Sequence, residues 1–83
     1  MPDVQSRRDI LTAALVGREQ EIMHYQINID NYTLALEEIA RASSEDVMDL
    51  VDFANQLRTL LASEKLEQKK SKIMLNVIKR QLE

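Results

Sequence analysis

Apolar residues recur at alternating steps of four and three between Leu11 and Ile39. A helix completes a turn in about 3.6 residues, so these positions form one stripe along its side. A seven-residue repeat keeps such a stripe against a partner helix, and Arg18 is its one charged position. We call this stripe the first seam; it consists of Leu11, Leu15, Arg18, Ile22, Tyr25, Ile29, Tyr32, Leu36 and Ile39.

A second seam with the same spacing follows after residue 46. It consists of Val47, Leu50, Ala54, Leu57, Leu61, Glu64, Gln68, Ser71, Leu75, Ile78 and Leu82, and Phe53, Leu60 and Met74 widen it on one flank. Between the seams, Ser43 and Ser44 precede two acidic residues, as an N-cap precedes the first turn of a helix. The sequence therefore predicts helix A over about 3–41, a turn at about 42–44 and helix B over about 44–82.

A connection this short makes the two helices antiparallel neighbours. The predicted fold is all-α: one helical-hairpin domain over residues 1–83 with coiled-coil-like packing. Composition agrees, because the chain has one Gly and one Pro, too few for the many turns of an all-β protein. The absence of Cys excludes disulfides and thiol chemistry and is typical of a cytoplasmic protein. No signal peptide and no membrane span are expected.

The turn fixes a register for the hairpin. Leu36 is expected to lie opposite Leu50, and continuing along the helices sets Arg18 opposite Gln68. The sequence thus predicts a buried polar layer of Arg18, Glu64, Gln68 and Ser71, where Gly17 allows close approach of the helices. Such a layer either fixes register and oligomeric state at a cost in stability or binds a ligand or ion.

Each helix also carries apolar residues away from its seam. The candidate partner or oligomer residues are Val16, Met23, Ile27, Leu34, Leu66, Ile73 and Val77. A helix that is apolar on two sides is usually covered on two sides. We therefore expect a homo-oligomer, most simply a dimer that forms an antiparallel four-helix bundle. The alternative is that these residues bind a different protein.

Charge is distributed unevenly along the hairpin. The open end, residues 1–18 and 65–83, carries nine cations and four acids, net +5, and the turn end, residues 19–64, carries two cations and ten acids, net −8. The basic residues are a solvated flank, one half of an antiparallel dimer contact, or a surface for nucleic acid or another anionic partner. The candidate residues for that last role are Arg7, Arg8, Lys65, Lys69, Lys72 and Lys79. Nucleic acid is the less favoured partner, because the three aromatic residues lie on or beside the seams and offer no stacking platform.

Nothing in the sequence indicates catalysis. His24 is the only histidine, and no Cys/His metal spacing, Gly-rich phosphate loop or Ser/His/Asp set occurs. We therefore predict no catalytic residue, no cofactor and no metal. The sequence favours a non-enzymatic interaction module, such as a regulator, an adaptor or an accessory factor of a phage or plasmid. The alternative is a dimeric hairpin that binds RNA or DNA through its open end.

Overall fold

The computed structural model describes the backbone of residues 4–83 and the side chains of residues 6–83. It contains three helices: α1 (Val4–Ala40), α2 (Ser44–Asp49) and α3 (Val51–Leu82). Helices α1 and α3 pack against each other and form an elongated helical hairpin of 66 × 18 × 14 Å. The predicted pair of long packed helices is therefore confirmed, and the expected start of helix A at residue 3 lies outside the described residues. No helix within the described part of the chain combines the length and the hydropathy of a membrane span.

The turn between the long helices ends at Ser43, which is the N-cap of α2. The backbone of Ser43 is extended, with φ −64° and ψ 160°, and its hydroxyl accepts a hydrogen bond from the amide of Asp46 at 3.4 Å. The same hydroxyl donates to the Asp46 carboxylate at 2.9 Å. On the other side of the turn, the amide of Ala42 donates to the carbonyl of Ile39 at 3.0 Å and closes the last turn of α1. These bonds satisfy backbone groups that a helix end leaves without intrahelical partners.

The second predicted helix is divided in two at Leu50, which corrects the expectation of one helix over 44–82. Leu50 has φ −103° and ψ 6°, outside the helical region, and its amide is shared between the carbonyls of Asp46 and Val47 at 3.0 and 3.2 Å. A shared amide of this kind marks a locally tightened turn. The amide of Ala54 then donates to the carbonyl of Leu50 at 2.8 Å, which is the first hydrogen bond of α3.

The contact between the helices follows the two seams. Every seam residue is buried or half-buried, and the buried apolar residues in the described part of the chain are Ile29, Ala54, Leu57 and Ile78. The core is thus one layer of side chains between two helices. A layer of this kind buries little apolar surface per residue, and small domains of limited burial are marginally stable.

Candidate interaction surfaces

The buried part of the polar layer is formed by Gln68 and Ser71, which are 8% and 2% exposed. The amide of Gln68 donates to the backbone carbonyl of Ile22 at 3.2 Å and to the side-chain oxygen of Gln26 at 2.9 Å. Both acceptors lie one to two helical turns closer to the hairpin turn than Arg18. Gln68 therefore bonds to residues of α1 that lie at least one turn closer to the hairpin turn than Arg18, its expected neighbour.

Glu64 shows the same displacement. Its carboxylate accepts a hydrogen bond from the Asn28 side chain at 3.3 Å, whereas the sequence register set it opposite Ile22. The cause is the direction of helical side chains, which lean toward the N-terminus of their own helix. The N-terminus of α3 lies at the turn end, so side chains of α3 reach residues of α1 that are closer to the turn than a Cα register suggests.

Arg18 finds its partner on its own helix. Its guanidinium donates to one oxygen of the Glu21 carboxylate at 3.1 Å, and its side chain remains 34% exposed. The hydroxyl of Tyr25 donates to the other oxygen, also at 3.1 Å. This hydrogen bond, followed by burial and by the negative charges of Glu21, Glu67 and Glu64, raises the pKa of Tyr25 above its usual range. Arg18 is thus an ion-paired residue at the edge of the contact rather than a buried charge facing α3.

The structure also describes the surroundings of Ser71 and of Gly17, the glycine expected to let the helices approach at the polar layer. Within the described part of the chain, the buried hydroxyl of Ser71 has no hydrogen-bond partner. Gly17 does not serve close approach of α3, because a Cβ placed on it would meet no atom within 4 Å. Arg18 and Gly17 therefore contribute little to a layer whose buried atoms belong to Gln68 and Ser71.

The seven candidate partner residues divide between two separate surfaces. Each lies on the side of its helix away from the seam and is between 41% and 65% exposed. Because α1 and α3 face each other through their seams, their opposite sides point away from one another. We call these surfaces the outer face of α1 (Val16, Met23, Ile27 and Leu34) and the outer face of α3 (Leu66, Ile73 and Val77).

A third apolar surface occupies one broad side of the hairpin. Phe53, Leu60 and Met74 belong to a series of seven-residue spacing on α3 that ends at Gln81, and they are 48%, 45% and 43% exposed. Arg7 begins the corresponding series on α1, and its guanidinium donates to the side-chain oxygen of Gln81 at 2.9 Å. Seven residues are almost two full turns of a helix, so the members of each series lie on the same side of their helix. Because Arg7 and Gln81 are hydrogen-bonded to each other, the two series lie on the same broad side of the hairpin. We call this surface the apolar lateral face; it consists of Arg7, Ala14, Glu21, Asn28 and Ala35 of α1 and Phe53, Leu60, Glu67, Met74 and Gln81 of α3.

The opposite broad side is basic. Lys65, Lys72 and Lys79 form an exposed series of seven-residue spacing that begins with Val51 and Arg58. Of the other candidate basic residues, Arg8 and Lys69 are exposed, while Arg7 lies on the apolar lateral face. The six predicted basic residues therefore do not form one patch, and three of them make the stripe that we call the basic lateral face.

His24 lies on the exposed surface of α1. The two neighbours that could orient it are bonded elsewhere, Glu21 to Arg18 and Tyr25, and Asn28 to Glu64. A general base requires an orienting partner and a pocket that holds the substrate. Among the residues that the structure describes, no group of three His, Asp or Glu side chains could hold a metal ion.

Comparison with known proteins identifies no relative of this chain. No protein-family model, no curated protein and no solved structure matches it. The surfaces described above are therefore the basis for a functional assignment.

Proposed function

We propose that this chain is a non-enzymatic helical-hairpin module that self-associates and acts by binding another protein. The observation that carries the proposal is the number of large apolar side chains left in contact with water by the hairpin. Exposures between 41% and 75% are found for Ile10, Val16, Met23, Ile27, Leu34, Met48, Val51, Phe53, Leu60, Leu66, Ile73, Met74 and Val77. Exposed apolar surface of this extent is typical of an interaction site.

The total exposed area supports the same proposal. A compact monomer of this mass exposes about 5,100 Å² by the surface–mass relation of folded proteins, whereas the hairpin exposes 6494 Å². The excess of about 1,400 Å² on one chain is larger than the roughly 800 Å² per partner that a standard protein–protein interface buries. The hairpin thus exposes enough surplus surface for a standard interface with a second chain.

The division of the apolar residues among three surfaces favours more than one partner. A dimer that used one face would still expose the others, so a second protein has a surface to bind. The outer face of α1 suits a partner with an apolar groove, because Met23, Ile27 and Leu34 are spaced as the anchors of a helix that docks into such a groove. Met23 also adds an adaptable side chain that packs against irregular surfaces.

Binding of RNA or DNA is the second candidate, and the basic lateral face favours it. Lys65, Lys72 and Lys79 present three exposed ammonium groups along one line, suited to a phosphate backbone. The two functions differ in their response to salt. A protein that binds nucleic acid displaces counterions from the phosphates, and this displacement becomes less favourable as the salt concentration rises, so the affinity falls steeply. The affinity of docking through apolar side chains changes little with salt.

Sedimentation equilibrium over a range of protein concentrations tests the self-association. The proposal expects a dimer of about twice the 9.6 kDa chain mass. A monomer at all concentrations would remove self-association from the proposal and leave only the binding of a different protein.

A pull-down at low and high salt tests the partner. Retention of a protein at both salt concentrations, with loss on Ile27→Glu and not on Lys65→Glu, is the expected result. Retention of nucleic acid at low salt only, with loss on Lys65→Glu, would replace the proposal with the second candidate. If neither is retained at low salt, both candidates are wrong.

A further inference from the structure

We infer that the apolar lateral face binds a second copy of this chain in antiparallel orientation, so that the turn end of each hairpin lies against the open end of the other. The inference rests on the proposed function, since it names the surface through which the chain self-associates. It also leaves the outer face of α1 uncovered for a different protein.

The apolar lateral face is the surface best suited to a four-helix bundle. Both helices contribute to it, whereas each outer face is a single helix. On α3 it presents Phe53, Leu60 and Met74, each close to half exposed. On α1 it presents the small side chains of Ala14 and Ala35, which let another helix approach closely.

The dimensions of this side fit a second copy. A rectangle of 66 × 18 Å has an area of about 1,200 Å², more than the roughly 800 Å² per partner of a standard interface. The face extends from the Arg7–Gln81 hydrogen bond at the open end to Ala35 and Phe53 near the turn, about 42 Å at 1.5 Å rise per residue. A second hairpin placed antiparallel on this face can contact both of its seven-residue series.

The antiparallel orientation follows from charge. The turn end carries a net charge of −8 and the open end +5, counted along the sequence. A parallel dimer would place −8 against −8, whereas an antiparallel dimer sets the −8 end of each copy against the +5 end of the other. Like charges placed against each other across an interface are costly, so an antiparallel dimer is favoured.

The middle of the face carries charges that suit a two-fold axis. Glu67 is the central member of the α3 series, and an antiparallel two-fold axis through the face sets it against Glu67 of the second copy. Its carboxylate is already paired with the ammonium of Lys70 at 3.0 Å, and Lys70 lies one turn away on the open-end side. Across the axis, Lys70 of each copy comes beside Glu67 of the other, so four charges alternate in sign. Glu21 is likewise neutralised by Arg18 at 3.1 Å.

In this arrangement α3 faces α3 and α1 faces α1. Glu67 therefore lies close to its own copy, and Leu60 lies opposite Met74 of the second copy. Leu60 does not lie close to its own copy, because the two positions are separated by about 21 Å at 1.5 Å rise per residue. A disulfide needs Cα atoms within about 7 Å, so crosslinking distinguishes these pairs.

The chain has no natural cysteine, which makes single-cysteine variants unambiguous reporters. Under mild oxidation, Glu67→Cys is expected to form a disulfide-linked dimer by itself. Leu60→Cys and Met74→Cys are each expected to remain unlinked alone and to crosslink when mixed. Ile73→Cys, on the outer face of α3, is the matched control and is expected to remain unlinked. Circular dichroism of each variant establishes that the helices are formed.

The outcomes separate this inference from the proposed function. A dimer by mass in which Leu60→Cys crosslinks to Asn28→Cys would show a parallel dimer and overturn the inference alone. A dimer by mass in which only Ile73→Cys crosslinks would show that an outer face is used, and would also overturn it alone. A monomer by mass with no crosslinking would overturn both the inference and the self-association on which it rests.

Discussion

The side chains of Gln26 and Gln68 are joined across the hairpin by a hydrogen bond of 2.9 Å, with the amide of Gln68 as donor and the oxygen of Gln26 as acceptor. The amide of Gln68 also reaches the backbone carbonyl of Ile22. In a core one layer thick, this buried amide fixes the position of α3 along α1, because a shift by one turn would leave it without partners. A buried polar residue of this kind specifies register in coiled coils.

Gln68→Ala is expected to destabilise the hairpin. The change removes two hydrogen bonds and leaves a small cavity, at a cost of about 1–3 kcal/mol in the free energy of unfolding. Urea unfolding at fixed protein concentration measures the effect. Gln56→Ala, at an exposed position of the same helix, is the control and should change stability by less than about 0.5 kcal/mol. Equal effects of the two changes would show that Gln68 does not fix the register.

Ser71→Ala is expected to stabilise the protein. The Ser71 side chain is buried and its hydroxyl is unbonded within the described residues, and an unsatisfied buried polar group costs about 1–3 kcal/mol. Thermal unfolding compares it with Ser63→Ala, an exposed position of α3 that gains only the higher helix propensity of Ala. A loss of stability in Ser71→Ala would mean that the hydroxyl has a partner in solution.

Gly17→Ala is expected to raise the free energy of unfolding by about 1 kcal/mol. Glycine in a helix interior is about that much less favourable than alanine, and the added Cβ meets open space. Chemical denaturation of the two proteins at the same concentration gives the difference. A destabilised variant would indicate that another chain packs closely against Gly17.

Tyr25 should ionise at higher pH than a tyrosine free in solution. Its hydroxyl donates to Glu21, and ionisation would place a phenolate beside a carboxylate, which raises the pKa of Tyr25. Absorbance titration of Tyr32→Phe, in which Tyr25 is the only tyrosine, follows this group directly. Glu21→Gln in that background should lower the pKa of Tyr25 toward the usual value, while Glu37→Gln should not.

Because the pKa of Tyr25 is raised in the folded state, any stability linked to Tyr25 is present below its unfolded pKa of about 10 and is lost as the pH rises through the folded value.

The architecture was predictable because the heptad spacing of the seams carries most of the information about a two-helix contact. Ser43, followed by two acidic residues within the next three positions, likewise indicated the N-cap of α2 that the structure shows. The bend at Leu50 was not predictable, since neither Pro nor Gly marks it.

The partners of Gln68 and Glu64 were missed for a different reason. A Cα register does not include the lean of side chains along each helix. The apolar lateral face depends on how the two helices are rotated about their own axes. The sequence placed Phe53, Leu60 and Met74 on one flank of the second seam, but the Arg7–Gln81 hydrogen bond was needed to show which residues of α1 share that side.

The most direct test of the central claim is the solution mass, by light scattering, of the natural chain, Leu60→Glu and Ile73→Glu. Both changes place a glutamate at an exposed apolar position of α3, one on the apolar lateral face and one on its outer face. We expect the natural chain and Ile73→Glu to be dimers, of about twice the 9.6 kDa chain mass, and Leu60→Glu to be a folded monomer. A monomeric natural chain, or a dimeric Leu60→Glu beside a monomeric Ile73→Glu, would contradict the account.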